Sequence, residues 1–301
     1  MKKLFQAIFL SSMVAFAACS DDDEPKKTTP SDQTTPSEPV VPSNSMDNGP
    51  KTRTFDLDGV KFNMIKVEGG TFLMGAQSTD SLASNYDPLA RDNESPVHSV
   101  TLSTYYIAEY ETTCDIVRKA GITSGSGSES NKPIRNIYRK DVLRFVDSLN
   151  AIMHKNGQLA EYENFSLPTE AQWEYAARGG KYSHNYIYAG SNNFKEVAYC
   201  KENSNGYSFT TVGSYTPNEL GLYDMSGNCF EMCLDELGDY SKESQVNPQG
   251  PAVVTDNTKW ILRSGSFYEP AANARVTSRG RIDANTETNS FTARLALVCD
   301  K

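Results

Sequence analysis

An irregular α+β domain is what the sequence predicts. Few stretches carry helical periodicity, and short strand-like runs are broken by Gly, Asn and Ser clusters. Sixteen tyrosines add to a loop-rich composition. No internal repeat divides residues 54–301, a length that supports one large core.

The chain opens outside that domain. Met1-Lys-Lys is basic, and Leu4 to Ala18 is mostly apolar but too short to span a membrane as a mature helix. Residues 1–18 therefore read as a signal peptide. Ala17-Ala18-Cys19 resembles a bacterial lipobox, although Phe16 stands where an aliphatic residue is usual. On that reading Cys19 is acylated and anchors an outer-membrane lipoprotein in the cell envelope. A plain secretory signal with a chance cysteine is the bland alternative. The acidic run Ser20–Glu24 reads either as a solvated linker or as the export tag of a surface-exposed lipoprotein. Residues 19–53 are expected to be a tether. Six of the fourteen prolines fall between 25 and 53, and too few large apolar side chains are present to offset ordering entropy.

Within the domain, a helix is expected after Thr113, ending near Gly121. A second runs from Asp141 to Met153, where Val142, Leu143, Phe145, Val146, Leu149 and Ile152 recur at helical spacing. A third begins after Leu167-Pro168. Thr169 caps it, and Gln172 reaches back in a capping box. Trp173, Ala176 and Ala177 form its apolar face.

The net charge is −9, and −11 once Lys2 and Lys3 leave with the signal. Such a surface disfavours nonspecific nucleic-acid binding. Five cysteines follow Cys19: Cys114, Cys200, Cys229, Cys233 and Cys299. Their odd number leaves at least one unpaired or intermolecular in an oxidising compartment. Cys229 and Cys233 lack histidines at finger spacing, so zinc is not expected, and buried free thiols are the simpler reading. His98, His154 and His184 stand apart, with no i, i+4 pair.

Six blocks carry a resemblance to a known family. They are Val67–Gly75, Glu94–Leu102, Tyr106–Thr113, Leu167–Arg178, Asn218–Glu231 and Leu262–Phe267 with Ala293–Leu297. In this order they resemble the sulfatase-modifying-factor, or formylglycine-generating-enzyme, family. The resemblance implies a single C-type-lectin-like domain with few helices and long loops. It also implies a calcium site at the turn Asp224-Met-Ser-Gly227-Asn-Cys229-Phe-Glu231, through two side chains and the carbonyls of Gly227 and Cys229. Hard oxygen donors on a flexible turn suit that ion. The alternative is an acidic turn with Glu231 at the surface or paired with an arginine. A second calcium site is not expected, because Tyr199 and Asn205 replace better ligands.

The family's oxidases hold copper with two cysteine thiolates. Here those positions fall at Glu269 and Ala274, and no cysteine lies between Cys233 and Cys299. Soft thiolates suit cuprous copper and a carboxylate does not, so no copper centre and no catalytic residue is assigned. Arg263, Arg275, Arg279 and Arg294 read as salt-bridge partners of the acidic surface, or as ligand-facing groups of the old cleft. The candidate cleft is Ser266, Glu269, Arg275 and Arg279. The expected role is a binding or structural module for a peptide, glycan or envelope protein. The alternative is a formylglycine-generating or other oxidoreductase on the same fold.

Overall fold

The computed structural model describes residues 40–125, 129–204, 208–250, 253–283, 285–286 and 290–299. The signal peptide, Cys19, the acidic run, most of the tether and Asn205 lie outside the described residues.

Strand β1 (Thr52–Leu57) turns into β2 (Val60–Val67) through Asp58-Gly59. Both turn residues have positive φ, 49° and 86°, as a tight two-residue hairpin requires. Then follow β3 (Gly70–Met74), β4 (His98–Leu102) and β5 (Tyr105–Ala108). Helices α1 (Cys114–Lys119) and α2 (Arg139–Lys155) precede β6 (Glu163–Ser166) and α3 (Glu170–Ala177). Two short helices, α4 (Phe194–Val197) and α5 (Lys201–Ser204), interrupt a long loop before β7 (Phe230–Asp239). The chain closes with β8 (Gln245–Val246), β9 (Val253–Arg263), β10 (Gly280–Asp283), β11 (Phe291–Ala293) and β12 (Ala296–Cys299). These strands form three small sheets, ordered β1-β2-β5-β12-β6, β10-β9-β7-β11 and β3-β4-β8. The few helices, mixed sheets and long loops match the expected class.

The apolar stripe of α2 packs Phe145, Leu149 and Met153 into a cluster with Phe55 and Phe165 of the first sheet. Phe55, Phe62 and Phe165 meet with ring centroids 5.0–5.7 Å apart. The capping box of α3 forms as expected, with Thr169 accepting from Gln172 N and Gln172 accepting from Thr169 N. Trp173, Ala176 and Ala177 are buried against β3, β7 and β9. Glu170 and Glu174 of the same helix are buried too, so α3 has no solvent face of the usual kind.

The domain starts earlier than residue 54. Asn44 caps a short 3-10 turn, Ser45–Asn48, and Met46 is 2% exposed in the first core. Lys66 donates to the carbonyls of Asp47 and Gly49. The sequence reading placed 44–53 in the tether because the surrounding composition is polar. One capping residue and one buried methionine are enough to fix the segment.

Asp235 of β7 accepts the Glu170 N–H at 2.8 Å, at the start of α3. Burial, and then Glu170, push its carboxyl up to about 7. A carboxyl that holds its proton more tightly when folded stabilises the fold at low pH. That contribution is lost as pH rises from the ordinary carboxylate range through about 7. Stability is therefore expected to fall across that window, at up to about 1.4 kcal/mol per pH unit. Asp235→Asn should flatten the decline in thermal melts taken at about pH 5 and about pH 8.

Candidate functional site

Two neighbouring regions bear on function: the loop after β9 and the turn before β7. At the end of β9 the chain reverses through Ser264 and Gly265, with φ of 79° and 74°. A Cβ on Gly265 would lie 2.7 Å from the Asn273 carbonyl oxygen, so glycine is what lets the two arms of the loop approach. Ser266 is fully buried and its hydroxyl has no partner among the described residues. Glu269 is half-buried and accepts from Asn273 Nδ2 at 2.6 Å. Ala274 is buried in a small apolar cluster with Tyr188, Val197, Ala198, Cys200 and Ala271.

Two thiols approach this loop: Cys229 packs with its Phe267, and Cys200 packs with its Ala274. Lys201, next to Cys200, donates its backbone N–H to the Glu269 carbonyl at 2.9 Å. Burial first, and then Glu202, push the Cys200 thiol up to about 12. It is therefore a neutral thiol at ordinary pH, not a thiolate. Cys299 ends β12 instead, with its sulfur 3.1 Å from Ser45 Oγ. Cys114, Cys229 and Cys233 are buried cysteines outside any disulfide, as the simpler reading had it, each raised above its ordinary value by burial first.

The expected cleft arginines do not face a ligand. Arg275 is fully buried, with Nη1 on Asp87 at 2.6 Å and Nη2 on Glu94 at 2.5 Å. Arg279 grips Glu170 through Nε at 2.7 Å and Nη2 at 2.9 Å, over the Tyr240 ring. Arg263 joins Glu170 and Glu174, and Arg294 joins Glu231. All four are interior salt bridges, and their partners are buried carboxylates of the core, not of the acidic surface. A buried guanidinium needs such a set to offset its lost hydration. Of the four proposed cleft residues only Glu269 is accessible to a ligand. The histidines also stay apart: His98 meets the Pro96 carbonyl, His154 meets Asn164 and His184 meets Glu219.

The acidic turn is built around left-handed backbone at Asp224, Gly227 and Asn228. Asp224 accepts from Gly213 N at 2.7 Å, and the Gly227 carbonyl accepts from Ser264 Oγ at 2.8 Å. Cys229 N donates to Glu111 at 2.9 Å. Glu231 accepts two bonds from Arg294, at 2.6 and 2.8 Å, and one from Trp173 Nε1 at 2.7 Å. The turn thus gathers three buried carboxylates, Glu111, Asp224 and Glu231, around one guanidinium. Burial pushes Asp224 to about 6, and burial, then Asp224 and Glu231, push Glu111 well above the usual carboxylate range. Sequence reasoning missed Glu111, which lies over a hundred residues from the turn.

Oxygen donors with surplus negative charge suit a hard cation. Among the described residues no group of three His, Cys, Asp or Glu side chains is arranged to hold a metal. A cation would therefore depend on the main-chain oxygens of Gly227 and Cys229 as well as on Asp224 and Glu231.

Comparison with known proteins fits this architecture. A family model described as "Sulfatase-modifying factor enzyme 1-like domain" matches residues 56–298. "Serine/threonine-protein kinase pkn1" of Chlamydia pneumoniae is 28% identical over 77% of the chain, which spans only 37% of that kinase's length. "Chaperone protein LppX" of Paenibacillus barcinonensis is 26% identical over 75% of this chain and 86% of its own. A "Formylglycine-generating enzyme" of Streptomyces coelicolor is 25% identical over 75% of this chain and 84% of its own. Among solved structures, Treponema denticola variable protein 1 superposes with a TM-score of 0.67 at 24% identity, covering 84% of this chain and all of that one. PvdO from Pseudomonas aeruginosa gives 0.65 at 20% identity, over 81% and 97%. With its six sequence blocks folded into one α+β body and the family model spanning nearly all of it, the chain belongs to the sulfatase-modifying factor enzyme 1-like (formylglycine-generating-enzyme) family.

Proposed function

We propose that the chain is a lipid-anchored extracytoplasmic binding or structural module that lacks the family's oxidase activity. The observation that supports it is the chemistry of the loop after β9. Glu269 and Ala274 replace the thiolate pair, and the one thiol in that cluster, Cys200, is held neutral by burial. The family's copper centre takes a pair of soft thiolates, and this cluster offers one thiol. The LppX relative is named a chaperone protein, which agrees with a binding role. Partners of this reading are the membrane, through acylated Cys19, and a peptide, glycan or envelope protein. Turnover of a cysteine-containing sulfatase peptide, with copper and oxygen supplied, tests it: no formylglycine is expected.

Calcium at Asp224, Gly227, Cys229 and Glu231 is a second, structural part of the proposal. The surplus of buried carboxylates over Arg294 supports it. A ligand that binds only the folded state raises stability by mass action. Chelator is expected to lower the melting temperature of the parent, and Asp224→Asn should abolish most of that sensitivity. Glu231→Ala is a poor probe, because it also orphans buried Arg294. Identical melts of metal-free protein with and without added calcium would remove calcium from the account.

A further inference from the structure

β3 forms one edge of its three-stranded sheet. Antiparallel alternation settles where its backbone groups point. The Thr101 carbonyl of β4 accepts from Asn247 N at 2.8 Å, on the β8 side. Thr101 therefore turns away from β3, and its partner Thr71 turns away from β4. Such non-hydrogen-bonded pairs bring side chains close, and the Thr71 and Thr101 hydroxyls indeed lie 2.8 Å apart. Leu73, two residues on, has the same orientation, and its carbonyl accepts from Asn85 Nδ2 at 2.7 Å from outside the sheet. The Thr71 N–H and C=O and the Leu73 N–H are left facing the open edge. None of the three meets a protein partner beyond the sheet among the described residues.

That edge forms one wall of a groove of about 720 Å³. Phe72 and Tyr175, with ring centroids 4.9 Å apart, supply an aromatic floor, and Tyr186 and Val276 also line it. Leu73 and Tyr86 stand on the rim, 41% and 40% exposed. The charged groups of the groove are already paired: Arg178 with Glu174, Lys181 with Glu68 and Asp87 with Arg275. Among the described residues no unpaired cation lines the groove to attract an acidic occupant, and the whole chain carries −9.

We infer that the free edge of β3 takes an extended, neutral or basic peptide segment of a partner as a fourth strand, seating one apolar side chain on the Phe72–Tyr175 floor. The peptide exchanges two backbone hydrogen bonds with Thr71 and accepts a third from Leu73 N–H, the strand-addition mode of recognition. This deepens the binding reading above, yet the groove does not use Glu269 or Ala274. An oxidase would leave the inference standing, and a failure here would leave the missing thiolates untouched.

The test pans a displayed library of short random peptides against the detergent-solubilised full chain. The affinity of one enriched peptide is then measured on variants. Proline is tolerated in an edge strand where its missing N–H faced solvent, so Thr71→Pro should fold while losing one bond and the fit of the added strand. Thr71→Val keeps the N–H and controls for the lost hydroxyl. The enriched peptide is expected to bind the parent and Thr71→Val alike, and Thr71→Pro at least about tenfold more weakly. The Thr71 and Leu73 amides should exchange slowly with solvent only when the peptide is present, a readout in the parent that stands even if Thr71→Pro fails to fold. The inference is overturned if no peptide is enriched, if strongly acidic sequences dominate, or if Thr71→Pro binds as well as the parent. It is also overturned if the two amides are already protected without peptide, as when a second copy or the chain's own N-terminal segment covers the edge.

Discussion

Arg263→Ala is expected to lower the free energy of unfolding by about 3–5 kcal/mol, read from urea or thermal unfolding, because it breaks a buried ion pair from one side. Arg263 is fully buried and spans Glu170 at 2.9 Å, Glu174 at 2.8 Å and the Val276 carbonyl at 2.6 Å. Both glutamates keep one arginine each, Arg279 and Arg178, so the network is weakened but not emptied. The residual charge still lies inside the core, where water cannot replace the lost donor. A loss of that size is a large part of the roughly 5–15 kcal/mol that holds a typical domain together. Arg263→Met combined with Glu174→Gln should cost less than the two single changes summed, since each removes what the other leaves stranded. An Arg263→Ala loss within about 0.5 kcal/mol of zero would show that the pair is hydrated in solution.

Trp173→Ala is expected to be of similar severity, about 3–5 kcal/mol. The indole is fully buried in α3, beneath the Arg263 guanidinium at 5.1 Å from the ring centroid. Its Nε1 donates to Glu231 at 2.7 Å. Trp173→Phe separates the two contributions: it retains most of the ring but removes the donor, at a cost of about 1–3 kcal/mol. If the two variants unfold at the same denaturant concentration, the indole bulk contributes nothing and the packing of α3 has been misread. Trp173 and Arg263 touch, so their losses should not add.

What could be read from the sequence follows from how local each signal is. The capping box at Thr169 and Gln172 closes within three residues, and the apolar spacing of α2 within a few turns, so both helices were legible. The six blocks announced the family because their order survives divergence. Side-chain partners far apart in sequence leave no such trace. Arg263 meets Glu174 across 89 residues, Arg275 meets Glu94 across 181, and Glu111 meets Cys229 across 118. Four arginines near the C-terminus therefore read first as salt bridges and second as a ligand cleft, and the fold pairs all four with buried carboxylates. The same holds for Cys200. It lies 74 positions before Ala274, yet packs in one apolar cluster with it, whereas Cys299, nearer in sequence, sits beside Ser45. The tether boundary was misplaced because a single buried methionine at position 46 is invisible against a polar average.

The most direct test of a family scaffold without its oxidase centre is mass spectrometry of a cysteine-containing sulfatase peptide. The peptide is incubated with the purified chain, copper and oxygen. The expected result is an unchanged peptide, with tight cuprous-ion binding appearing only after Glu269→Cys together with Ala274→Cys. Conversion of the peptide cysteine to formylglycine by the parent chain, lost when copper is removed, would contradict the account.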